Sequence, residues 1–183
     1  MKIISIALAA FICLSILGLA VPDSVITGPY NVTFDLGIPK EAYRVEIADP
    51  VTKESLSGEI STEYKIELIN KTGLTRRATM TLTSYETDQV IPSQDELVKG
   101  GKYILVQMDD VYDIDAAGRK IDGHDGAVVT GTMRLSGLDV DMYSGLYFPS
   151  STTSVIIVSF YPWEEGTLQL LKTIHVEENN STS

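Results

Sequence analysis

The sequence predicts an α+β domain: a largely antiparallel sheet of six to eight strands with one or two helices packed on it, one of them C-terminal. Three observations carry that expectation. Apolar and polar residues alternate with period two through the first half of the chain, and a helix start signal stands near its middle. The last third joins a continuous apolar strand to an amphipathic helical segment. A β-sandwich with a terminal helix fits the same pattern and stays open as the alternative.

The chain opens with Met1-Lys2 and an uncharged apolar run that closes on Gly18-Leu19-Ala20, small residues where a signal peptidase reads. Residues 1–20 are therefore expected to be a signal peptide; an uncleaved membrane anchor is the rival, since the run approaches the roughly 20 residues that span a bilayer. Either way the remainder is expected to be extracellular or at the cell surface, as one globular domain over residues 21–176 with a disordered tail at 177–183. The only cysteine, Cys13, lies within the apolar run. Without residues 1–20 the chain has no thiol. That excludes a disulfide scaffold, thiol catalysis and cysteine-ligated zinc.

Alternation marks four strands in order. Val32, Phe34 and Leu36 oppose Asn31, Thr33 and Asp35; Tyr43, Val45 and Ile47 oppose Arg44 and Glu46; Tyr64, Ile66 and Leu68 oppose Lys65 and Glu67. Residues 78–83 set Ala78, Met80 and Leu82 against Thr79, Thr81 and Thr83. Each is a half-buried strand with one wet face, and residues 72–75 read as a turn. Ser93 followed by Glu96 is a capping box. Gly100-Gly101 then costs about 1 kcal/mol per glycine in a helix interior, so one long helix and a short helix with a strand from Tyr103 are both open. Residues 109–126 read as an acidic, glycine-rich loop with turns at 116–118 and 122–126. Strands are expected at 127–135, 139–148 and 153–161; Val155-Ile156-Ile157-Val158, apolar throughout, marks a central one. Residues 162–175 read as the closing helix, with Pro162 at its first position and Leu168, Leu171 and Ile174 in its apolar stripe.

The order of elements, carried by residues 31–36, Ile121-Asp122-Gly123 and residues 155–176, resembles the layout of PsbP-like and Mog1-like proteins, with an Ile-Asp-Gly loop before paired late strands and a closing helix with a short tail. The segments Asp122-Gly123-His124-Asp125-Gly126 and 161–168 also resemble those of uncharacterised exported proteins of methanogenic archaea. That resemblance implies a habitat and no activity.

The strongest chemical candidate is the acidic stretch with Asp109, Asp110, Asp113, Asp115, Asp122 and Asp125, since calcium takes six to eight oxygens from such loops. An EF-hand is excluded: from Asp113, Ala117 fills the third ligand position and His124 stands where the bidentate glutamate belongs. Aspartate and glycine are also what hairpin turns need, so an irregular calcium site and plain turn chemistry compete. Asp122, His124 and Asp125 form a second small set for a transition metal, against the plain reading of His124 as a turn residue. Asn70, Asn180 and Asn31 head N-x-Ser/Thr sequons, Asn179 another. Tyr143, Tyr147, Phe148, Tyr161 and Trp163 gather near the late strands, as core or as a binding surface. There is no G-x-S-x-G elbow and no phosphate-binding glycine loop, so no catalytic residue is assigned.

The net charge of −11 disfavours nucleic acid and anionic membrane as partners. The expectation is a non-enzymatic secreted or envelope domain that binds an extracellular protein or glycan and needs no cofactor. A calcium-dependent binding module and an extracytoplasmic hydrolase are the alternatives.

Overall fold

In the computed structural model of the chain, residues 22–71, 76–160 and 164–179 are described. Among the described residues eleven strands and two α-helices follow in order: β1 (Asp23–Thr27), β2 (Tyr30–Phe34), β3 (Tyr43–Ile47), β4 (Val51–Glu54), β5 (Ile60–Asn70), β6 (Arg76–Tyr85), α1 (Gln94–Val106), β7 (Val111–Ile121), β8 (His124–Leu135), β9 (Leu138–Ser150), β10 (Thr153–Phe160), α2 (Glu164–Thr173) and β11 (His175–Glu178). The main sheet is antiparallel in the order β3-β5-β6-β10-β9-β8-β7, with β4 also paired to β5. A separate three-stranded sheet, β1-β2-β11, is also antiparallel.

The alternating segments become strands as expected, and their apolar faces bury together, except at Ile47, which is exposed. Ile66, Met80 and Ile157 sit side by side across β5, β6 and β10. With Leu68, Leu82 and Val155 they form the floor of the principal core. The roof comes from Val25, Val32 and Phe34 of the small sheet and Leu170, Leu171 and Ile174 around α2. Tyr30 meets Tyr64 edge to face, 5.5 Å between ring centres, and its hydroxyl lies 3.0 Å from that of Thr153. Tyr64 leaves no room for a side chain at position 28, where a Cβ would fall 2.0 Å from its ring; Gly28 also has φ +54°.

The opposite face carries a smaller core of Leu105, Val129, Met133 and Met142 beneath α1. The capping box forms as expected: Ser93 Oγ accepts from Glu96 N–H, and the Glu96 carboxylate accepts from Ser93 N–H at 2.8 Å. The Ser93 hydroxyl, 2.7 Å from the same carboxylate, and then the Ser93 N–H hold the Glu96 carboxyl below its ordinary range. The helix runs through Gly100-Gly101 as one element. Gly101 permits this, because it lies buried on β8 where a Cβ would meet Val129 at 2.7 Å. Beyond α1 this face stays half-exposed, with Thr79, Thr81 and Thr83 in line and Lys65 paired to Glu67 at 2.8 Å.

Two expectations need correction. Residues 109–126 are not a loop: 111–121 and 124–135 are the paired strands β7 and β8, and the only turn between them is Asp122-Gly123. There is no turn at 116–118; Ala116, Ala117 and Gly118 pair with Val129, Val128 and Ala127. The tail does not begin at Glu177 either, because Glu177 and Glu178 pair with Asn31 and Tyr30. Residues 1–20, the 72–75 turn, Tyr161, Pro162, Trp163 and Asn180 lie outside the described residues. Among those described, no helix is long and apolar enough to cross a membrane.

Candidate functional site

β7 is the last strand of the main sheet, and its outer side has no neighbouring strand among the described residues. A two-residue turn is flanked by a hydrogen-bonded pair, here Ile121 and His124, and such pairs alternate along an antiparallel ladder. Arg119 and Ala117 therefore bond inward to β8, while Ala116, Gly118 and Lys120 direct N–H and C=O groups outward. The turn needs φ > 0 at both positions, and Asp122 and Gly123 supply +52° and +77°.

A groove of about 590 Å³ runs between β7 and α2. Its walls are apolar: Ala117, Ile121 and Val128 from the sheet, Leu168 and Leu171 from α2. Its rim is polar, with Asp115, Thr130, Arg119, Lys120 and Lys172. Three of those five groups are cations, in a chain of net charge −11. Lys120 is held by Asp125 at 2.8 Å, whereas Arg119 and Lys172 form no ion pair with any described residue. On the far side Gln94 lies over Gly118, its amide donating to the Arg119 carbonyl at 3.3 Å.

The end of the groove is latched by contacts far apart in sequence. Asp122 Oδ1 lies 2.7 Å from His175 Nδ1, and Asp122 Oδ2 accepts from the Val176 N–H at 3.0 Å. Glu177 Oε1 lies 3.2 Å from His175 Nε2. Flanked by two carboxylates, Asp122 first and Glu177 second, the exposed imidazole is raised above its ordinary pKa, partial burial opposing. The Tyr147 hydroxyl is buried close to Asp122. Burial first, and the Asp122 charge second, push its pKa well up and keep the phenol neutral. The latch ties the β7–β8 turn to the strand that follows α2, and so fixes the two walls of the groove relative to each other.

The acidic residues singled out from sequence are dispersed by the strand. Asp109 and Asp110 precede β7, Asp113 sits in a bulge between Tyr112 and Asp115 with φ +52°, and Asp115 is on the groove rim. Asp122 serves the latch and Asp125 holds Lys120. A strand advances about 3.3 Å per residue and alternates faces, so these carboxylates do not converge. Among the described residues no three His, Cys, Asp or Glu side chains are placed to hold a metal ion. His124 stacks on Tyr147, 6.3 Å between centroids, and stays apart from the latch. Tyr147 is core, while Tyr143 and Phe148 are half-buried. Asn31 is in β2, where its side chain accepts from Ser24 at 2.7 Å. Asn70 is the last residue of β5 and pairs with Tyr43.

The groove escaped the sequence reading because its residues come from β7, β8 and α2. The one local signal was Arg119-Lys120 within an otherwise acidic stretch. No family model matches the chain, and no curated protein matches it.

Proposed function

We propose that the chain is an exported, non-enzymatic binding domain, secreted or held at the cell envelope, and that it docks an extended strand of a protein partner along β7. Export rests on the Met1–Ala20 segment. The docking reading rests on one observation above all: a strand edge with no neighbouring strand among the described residues lies directly beside an apolar groove, with two cations on its rim that form no ion pair among those residues. Strand addition draws affinity from backbone hydrogen bonds and specificity from pockets for alternate side chains, and β7 with the groove offers both. Small side chains at Ala116, Ala117 and Gly118 let another backbone approach closely.

Selection of random ten-residue peptides against residues 21–183, followed by amide chemical-shift mapping, tests it. Binders whose shifts fall on β7 and α2 support strand docking. Binders that map elsewhere, or no binders at all, contradict it. A PsbP-like or Mog1-like layout is the finer structural proposal. It is supported by the Ile121-Asp122-Gly123 turn between two paired late strands and by a helix packed on an antiparallel sheet. The closing strand β11 departs from it, and an experimental structure compared with both families decides.

A further inference from the structure

The pairable part of β7 is short and complementary to itself. The bulge between Tyr112 and Asp115 leaves residues 115–121 as its regular stretch, and the first five of these, Asp115-Ala116-Ala117-Gly118-Arg119, are the self-complementary part. Laid antiparallel on a second copy with Ala117 opposite Ala117, this segment sets Asp115 against Arg119 twice. It also sets Ala116 against Gly118 twice. Ala116 and Gly118 are the residues whose backbone groups point outward, so they make hydrogen-bonded pairs. Asp115 and Arg119 fall on non-hydrogen-bonded pairs, where side chains stand closest and opposite charges attract. The neighbouring register, centred on Ala116, would need Asp113 opposite Arg119. Asp113 is in the bulge with φ +52° and cannot take a ladder position.

We infer that the strand docked on β7 is β7 of a second copy, giving a two-fold dimer with one sheet continuous across the seam. This rests on the strand-docking reading and names its occupant. The two-fold axis of such a pair is perpendicular to the sheet, so both copies of α1 lie on the same face. Each Arg119, without an ion pair among the described residues, gains the Asp115 of the other copy, and the two-fold relation closes the assembly at a dimer.

The processed chain has no cysteine, so a disulfide can report the register. Ala117→Cys places two thiols across a non-hydrogen-bonded pair, within the Cα separation a disulfide accepts. Lys120→Cys, on the same edge but away from the axis, is the control. Sedimentation velocity of residues 21–183 should show mass rising from monomer to dimer with concentration. Under mild oxidation Ala117→Cys should cross-link and Lys120→Cys should not. Asp115→Arg and Arg119→Asp should each weaken dimerisation by at least about tenfold, and the double exchange should restore it. A monomer at every concentration, with both cysteine variants cross-linking alike, overturns the dimer. If peptides still shift the β7 amides, strand docking stands with a foreign partner. If neither peptide nor concentration shifts them, both readings fall.

Discussion

Replacing Asp122 tests the latch that sets the groove, and the cost can be worked contact by contact. Asp122→Ala removes the acceptor of the half-buried Val176 N–H, worth about 1–2 kcal/mol. It removes the partner of an exposed His175, worth up to about 1 kcal/mol in water. It also forces alanine to φ near +52°, a left-handed conformation that costs roughly 1 kcal/mol more than for aspartate. The expected loss is about 2–4 kcal/mol, or roughly 5–15 °C in melting temperature for a domain of this size. Asp122→Asn keeps an acceptor and a residue type that tolerates positive φ, so it should stay within about 1 kcal/mol of wild type. The two variants also differ in their pH dependence. The folded-state pKa of His175 is raised, so its contribution is complete below about pH 6.5 and is lost as pH rises through the folded value. The advantage of wild type over Asp122→Asn should therefore be larger at pH 5.5 than at pH 9, and salt should shrink it. Urea unfolding of wild type and both variants across that range is the assay. Asp122→Ala within about 0.5 kcal/mol of wild type, or a wild-type advantage over Asn that ignores pH, would refute the latch.

Three further outcomes are expected. Gly100→Ala meets nothing within 4 Å and should stabilise α1 by about 0.5–1 kcal/mol, whereas Gly101→Ala drives a Cβ to 2.7 Å from Val129 and should be destabilising; thermal melts of the pair check the buried face of α1. Gly145→Ala places a Cβ 2.4 Å from Leu171 and should cost about 1–3 kcal/mol while pushing α2 off the sheet, read as a stability loss together with shifted amides along the groove. Excess calcium against chelator should leave the melting temperature unchanged, since Asp113, Asp115 and Asp125 are dispersed along β7 and β8 and do not converge; a rise of about 5 °C, abolished by Asp113→Asn with Asp115→Asn, would support a calcium site.

Where a strand buries one face and wets the other, its sequence declares it, and β2, β3, β5 and β6 were legible for that reason. So was the Ser93 cap, a signal that closes within four residues. β7 was hidden because it is an edge strand: Asp113, Asp115, Arg119 and Lys120 face water, and Ala117-Gly118 are exposed too, so no apolar period survives. β1 inverts the usual pattern, burying Asp23 and Thr27 while Ile26 points out, and β4 is exposed throughout. Continuity of α1 through two glycines is a tertiary effect, decided by the close approach of Gly101 to Val129. The latch joins residues 53 apart and the groove joins three elements, relations that no local window contains.

The most direct test of the central claim is residue-resolved amide hydrogen exchange along β7 in dilute protein. A free edge requires alternation: Ala116, Gly118 and Lys120 exchange fast, Ala117, Arg119 and Ile121 slowly, and the fast set becomes protected as a strand docks. Uniform protection from 115 to 121 in the dilute monomer would mean that the edge is already covered, and would contradict a docking site there.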